Sequence, residues 1–314
     1  MGQSEEVRFT EEEIRQMSDF MEEKQRTQER TEERPQEEER FQEEPAPNFK
    51  ILNAELRKAA LEGDIERMAF AIHKGADINS QDKLGNTVLH YASIKGDLEA
   101  VNFLLSYEAD PNIANKNKKT ALHTALSSRK KGMKIGVIDA LLKGGADINA
   151  QDINGDSPMH YAVNSGDMID ILLDGDRASQ VDMNLRNNRG DTALNLALEL
   201  GDGERVEKLC SSKIDPNLLN NDKECALAVA LKYGANERIL KELLPTDKNV
   251  YNVQDAQGNT VMHHAAEYGV RTGNMAVAVV LAGKGGDVSI ENNKGVTSRQ
   301  IGFNYAMNEG TETA

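Results

Sequence analysis

A dozen residues of this chain recur in near-identical form. Residues 86–97 read NTVLHYASIKGD, and close variants begin at Lys119 (KTALHTALSSRK), Asp156 (DSPMHYAVNSGD) and Asn259 (NTVMHHAAEYGV). Aligned on the Thr position before each apolar burst, the anchors are Thr87, Thr120, Ser157, Thr192, Cys225, Thr260 and Thr297, spaced by 33, 37, 35, 33, 35 and 37 residues. A second phrase keeps step: GADIN at 75–79, EADPN at 108–112, GADIN at 145–149, VDMN at 181–184 and IDPN at 214–217. A period in this range marks a solenoid, in which each unit buries its apolar face only against its neighbours. Residues 54–77 supply a further helix pair that suits a polar cap. Eight units result, the first and last atypical.

The phrase has a local grammar. Thr87 stands where a helix starts, and its hydroxyl can satisfy orphan N–H groups of the first turn. Leu89 and Ala92 share one face, Gly96 ends the helix, and Leu98, Val101, Leu104 and Leu105 form the stripe of a second helix. Asp110 and Asn112 favour the tight turn that follows. His90, His123, His160 and His263 hold one place in their units. Packed helices lie about 8–10 Å apart, whereas a zinc ion needs its ligands at about 2 Å, so these four cannot share a metal.

The T-x-L-H-x-A phrase, the glycine six residues after the His, the Leu-Leu pair and G-A-D-x-N together resemble the ankyrin repeat over about residues 50–308. The resemblance implies an all-α solenoid of about 7–8 helix-turn-helix units, with β-hairpin loops projecting sideways from a curved stack. It also implies a structural role for the repeated His, bonding backbone between units. Thr87, His90, Thr120, His123, Ser157, His160, Thr192, Thr260 and His263 are then repeat-motif residues. The expected division is an acidic extension, 1–47, a repeat domain, 48–308, and a short disordered end, 309–314.

Departures from the pattern carry the functional expectations. The third unit replaces its glycine stop with SSRKKGMK (127–134), four residues longer than a 33-residue unit allows. With the hairpin lysines this gathers Lys116, Lys118, Lys119, Arg129, Lys130, Lys131 and Lys134, either an ordinary solvated loop or a docking point for an acidic peptide. Tyr233, Tyr268 and Tyr305 occupy equivalent positions in units six to eight. They form either packing against the next turn or an exposed ladder of interface residues. The His is lost at Asn195, Ala228 and Gln300. Cys225 replaces the capping Thr of unit six, and that part of the stack is expected to be looser.

Composition narrows the rest. Net charge is −15; residues 1–47 hold 15 Glu and one Asp against seven Lys/Arg, a net of −9, which leaves −6 for the other 267 residues. Such a segment is expected to be disordered, apart from a short amphipathic helix at about 10–30 carrying Ile14, Met17 and Met21. The balance disfavours nucleic acid and anionic membrane surfaces. Two cysteines, Cys210 and Cys225, imply no disulfide framework. Neither a signal sequence nor a membrane span is expected, and Glu6 breaks the myristoylation motif at Gly2. No phosphate loop, nucleophile elbow or metal cluster stands out, and a catalytic Cys225 would need a His base of its own unit.

The chain is therefore expected to be a cytoplasmic, monomeric, cofactor-free scaffold or adaptor that binds another protein on its concave face, and not an enzyme. The alternative expectation is a regulatory inhibitor, or an effector delivered by a bacterium into a host cell, whose acidic extension modulates partner binding.

Overall fold

The computed structural model describes residues 48–128, 134–165, 168–210 and 214–302. All belong to one unit that begins at Pro47. The acidic extension with Ile14, Met17 and Met21, the loop residues Arg129, Lys130 and Lys131, and Tyr305 lie outside the described residues, and Lys134 is described in its backbone alone.

Helices come in pairs. The first pair is α1 (Phe49–Glu62) and α2 (Ile65–His73). There follow α3 (Val88–Lys95) with α4 (Leu98–Ser106), α5 (Ala121–Ser127) with α6 (Lys134–Lys143), and α7 (Pro158–Ser165) with the single turn α8 (Ile169–Leu172). The last are α9 (Ala193–Leu200) with α10 (Gly203–Cys210), α11 (Ala226–Tyr233) with α12 (Glu237–Glu242), and α13 (Val261–Thr272) with α14 (Ala276–Gly283). First helices stack on first helices from α1 to α13, and second helices stack on second helices from α4 to α12. The core is one continuous run of Leu, Ala, Val, Ile and Met between these layers. No strand occurs among the described residues; the hairpins contribute only the isolated bridges Leu219–Cys225 and Glu291–Thr297.

The uneven spacing is absorbed at named places. A 3₁₀ turn at Gly175–Ser179 follows α8, and another at Lys248–Asn252 follows α12. In the seventh unit α13 runs to 12 residues where α3, α9 and α11 have 8. Gly269, the expected stop, stays helical, and Gly273 takes the left-handed ending, φ 72°. A Cβ at Gly269 would lie 2.1 Å from Met275 Sδ, so a larger residue there would displace the Met275 side chain.

Recurrent hydrogen bonds within and between units build the seams. At the base of each hairpin, an Asn side-chain oxygen accepts from the backbone N–H of the next unit's Asp: Asn53 to Asp77, Asn79 to Asp110, Asn112 to Asp147, Asn149 to Asp182, Asn184 to Asp215, Asn217 to Asp247 and Asn252 to Asp287, all at 2.7–2.9 Å. At the hairpin tips, the N–H groups of Lys116, Ile153, Asn188, Asn221 and Asn293 donate to a carbonyl of the preceding tip. At the helix starts, Nδ1 of His90, His123, His160 and His263 accepts from the backbone N–H of the capping residue three positions earlier, at 3.0–3.2 Å.

With Nδ1 an acceptor, the proton of the neutral ring sits on Nε2. Nε2 then donates to the next unit's carbonyl at Lys119, Asp156, Asp191 and Val296. The His thus takes the place of the acidic residue in an ordinary capping box. Thr192 instead caps Asn195 through its own hydroxyl, and Cys225 makes no side-chain cap.

The junction of units six and seven is the exception. Ala228 cannot make the His bond, and no tip bond joins Ala256 to unit six among the described residues. The lengthened α13 supplies replacements: Arg271 donates to the carbonyls of Leu231 and Lys232 at 2.7 and 3.0 Å, and the Tyr268 hydroxyl donates to Ala235 O at 3.2 Å.

Three expected outcomes follow from this frame. Leu104 is fully buried, so Leu104→Ala should cost about 2–5 kcal/mol in chemical melts, against about 1 for Thr87→Ala. Lys118 and Lys223 stand at φ 55° and 63° in hairpin tips where Gly85, Gly155, Gly190, Gly258 and Gly295 serve the other units. Left-handed backbone costs a non-glycine about 1–2 kcal/mol, and glycine gives back part of that in unfolded-chain entropy. Lys223→Gly should therefore stabilise by about 0.5–1 kcal/mol, measured in the same melts.

The third concerns pH. Burial, the largest cause, pushes His90, His123 and His160 below the usual imidazole range, partly opposed by their carbonyl acceptors. Below about 6.5 the unfolded chain then binds more protons than the folded one. Stability is complete above that value and is lost as pH falls from there toward the folded pKa values. Melting temperature should drop between pH 7 and 5.5, and less steeply in His123→Asn, which carries the residue found at position 195. Equal slopes in both proteins would rule out this linkage.

Candidate functional site

A depression of about 530 Å³ lies across units four to six, between the hairpin tips and the first helices. Asp156, Asn187 and Arg189 of the hairpins form one wall. Leu196, Glu199 and Leu200 of α9 form the floor, with Asn164 at one end and Tyr233 of α11 at the other. The frame behind it is stiff. Asn187 Nδ2 donates to Asp156 Oδ1 at 3.0 Å, and the Arg189 guanidinium is held between Asp191 at 2.9 Å and Glu199 at 3.1 Å.

On that frame two large side chains stand free: Tyr233 is 51% exposed and Leu200 52%. Both are the last residue of their helix, eight positions after the capping residue. Exposed aromatic and aliphatic groups on rigid backbone lose little entropy when covered, which is what a binding anchor requires.

Tyr233 and Tyr268 hold equivalent register positions, yet the structure separates them. Tyr268 is 7% exposed, its hydroxyl is bonded to Ala235 O, and the Arg271 guanidinium lies 5.8 Å from its ring centre. The expectation that it stands exposed in a ladder is corrected. Its helix continues for another turn, and that turn covers the ring.

The basic group is described at Lys116, Lys118 and Lys119. The first two are exposed; Lys119 is half-buried, its ammonium 5.2 Å from the Tyr161 ring. A smaller depression of about 200 Å³, lined by His90, Tyr91, Ile94 and Lys119, lies between units two and three. Sequence reasoning did not single out Arg189, Glu199 or Leu200. Leu200 carried a usable signal: it is a large apolar residue at the register of Tyr233.

Chemistry of the catalytic kind finds little support in the two thiols. Burial raises Cys210 to about 12 and Cys225 to about 11, so neither is a thiolate nucleophile at neutral pH. No helix among the described residues is long and apolar enough to cross a membrane.

Comparison with known proteins agrees with this architecture. A family model described as ankyrin repeats (3 copies) matches residues 56–152, 130–220 and 199–292. No curated protein matches the chain. Stacked helix pairs, hairpins joined by an Asn–Asp ladder and the matched span of more than half the sequence give one conclusion: the chain belongs to the ankyrin-repeat family, whose repeats generally serve as protein–protein interaction modules.

Proposed function

We propose that the protein is a non-catalytic scaffold that binds a segment of another protein across the hairpin and first-helix face of units four to six. The observation that carries this reading is the pairing of exposed Tyr233 and Leu200 over a depression of about 530 Å³ whose polar wall is already locked by internal hydrogen bonds. A partner segment would set apolar side chains against Leu200 and Tyr233 and meet Arg189 and Glu199 at the rim. Tyrosine suits such an anchor because one rigid ring gives apolar contact and a hydrogen bond. Lys116 and Lys118 extend the candidate surface toward acidic segments, and the net negative charge disfavours nucleic acid as the ligand.

The test is affinity purification with the full chain, with Tyr233→Ala/Leu200→Ala, and with Val279→Ser. Val279 is 69% exposed on α14, outside the depression. A specific partner should be retained by Val279→Ser and lost by the double variant. Titration of that partner should show a loss of at least about 2 kcal/mol, roughly 30-fold, with an unchanged melt. Tyr268→Ala should instead lower the melting temperature, because it removes a buried ring and a seam bond. Equal affinity of the double variant and the unaltered chain would remove this face from the reading. Repeating the titration with residues 48–314 measures what the acidic segment contributes.

A further inference from the structure

The first residue of each hairpin tip follows a rule across the stack. Where it is Asn, as at positions 115, 187, 220 and 292, its Nδ2 donates across the seam to an oxygen of Asn86, Asp156, Asp191 and Asn259 respectively, at 2.8–3.1 Å. Where it is Asp, as at positions 82, 152 and 255, its Oδ2 accepts from a side chain nine residues on: Tyr91, Tyr161 or His264. An Asp cannot donate, and basic residues hold the facing places: Arg57 lies near Asp82, and the register that pairs Asn187 with Asp156 puts Lys119 across from Asp152.

Asp255 breaks the rule. The residue opposite it is Glu224, and both carboxylates are buried, at 7% and 5% exposure. Two negative charges so placed need compensation from beyond the pair. Lys232 supplies one charge, its Nζ 2.7 Å from Glu224 Oε1, but its side chain is 37% exposed and reaches in from the rim. His264 is the other neighbour, its Nε2 2.9 Å from Asp255 Oδ2. The four histidines of the repeat motif use both ring nitrogens. His264, at 5% exposure, uses one, and its Nδ1 has no partner among the described residues. One donor atom from each of Glu224, Asp255 and His264 lies within 4.8 Å of the others.

We propose that Glu224, Asp255 and His264 form a zinc-binding site that clamps unit six to unit seven. Imidazole nitrogen with two carboxylate oxygens is a ligand set suited to zinc, whose bonds to N and O are about 2.0–2.2 Å. Tetrahedral ligands at that range stand about 3.3 Å apart, so replacing the proton between Nε2 and Oδ2 by the ion opens their 2.9 Å separation only slightly. Asp255 is aimed for the purpose, because its Oδ1 is held by the N–H groups of Gln257 and Asn259 at 2.8 Å and its Oδ2 is left for the ion. The divalent charge neutralises the carboxylate pair, and the Lys232 ammonium swings out to solvent. The fourth position is left to water.

The repeat itself provides the controls. Asp255→Asn installs the residue that positions 187 and 220 carry, and His264→Tyr installs that of 91 and 161, so both variants have a precedent in the same fold. The full chain, stripped with chelator, is titrated with zinc chloride alone by calorimetry and followed by thermal melts. One tight equivalent with a rise in melting temperature is expected, weakened at least tenfold in each variant. Lys232→Ala should tighten it by removing the competing cation. Zinc held loosely by the acidic segment 1–47 would be unchanged by all three substitutions. Absence of a tight equivalent, or one that survives in both Asp255→Asn and His264→Tyr, would show that the cluster is an ion-paired joint and no metal site.

Discussion

An Asn carbonyl oxygen accepting one backbone N–H of the following unit is the contact on which the rest of the stack depends. It recurs at all seven junctions from Asn53 to Asp287. In the same hairpin the Asp side chain accepts from the N–H two residues on, which fixes the turn that presents the N–H to its neighbour. A solenoid has no long-range contacts to set register, so each interface must define the rise and rotation to the next. Apolar packing of Leu and Ala gives the interface its strength but tolerates sliding. A directional bond at a fixed distance does not.

Much of this was legible in the residues, because the bonds that cross seams recur with the period. The Thr cap could be read from its place before the apolar burst and the turn from Asp and Asn two apart, while the bonding of the His came from the ankyrin resemblance. What escaped depended on changes of register within one unit. Tyr268 has the register of Tyr233, and its burial goes with Gly269 remaining helical and with the turn that follows it. Nothing in a one-letter pattern separates a glycine that ends a helix from one that the helix runs through. The ladder similarly runs through Asn252 and not Asn249, because the 3₁₀ turn at Lys248–Asn252 shifts the acceptor by three residues and buries Tyr251 behind it.

The candidate binding face gains from the same economy. Seam bonds consume most of the polar groups along the hairpins, so those left over are few and held in place. Arg189 is restrained by two carboxylates, and Asn187 by Asp156. Residues at the helix ends, eight positions past the cap, take no part in the seams in units five and six. They are free to vary in size and chemistry at no cost to the stack, which is why Leu200 and Tyr233 can serve recognition while the framework around them stays constant.

The sixth junction shows how the stack tolerates lost links. Among the described residues it has no His bond, no tip bond and no Asn amide between the hairpin tips; the bonds of Asn217 to Thr246 and Asp247 remain. In a chain of nearest-neighbour interfaces, such a junction is where cooperativity would break first. Two devices compensate from opposite ends of the same helix. At the far end of α13, Tyr268 and Arg271 reach back to the carbonyls that close α11. Near its start, His264 faces the carboxylates of Asp255 and Glu224 beside Lys232. The first device is always made. The second depends on which cation neutralises the pair, so the strength of this junction answers to solution conditions in a way that the Asn–Asp ladder, built from uncharged donors, does not. Tyr233 ends the helix on one side of that junction, so a cation bound there would act beside the candidate recognition face and stiffen the unit that carries it.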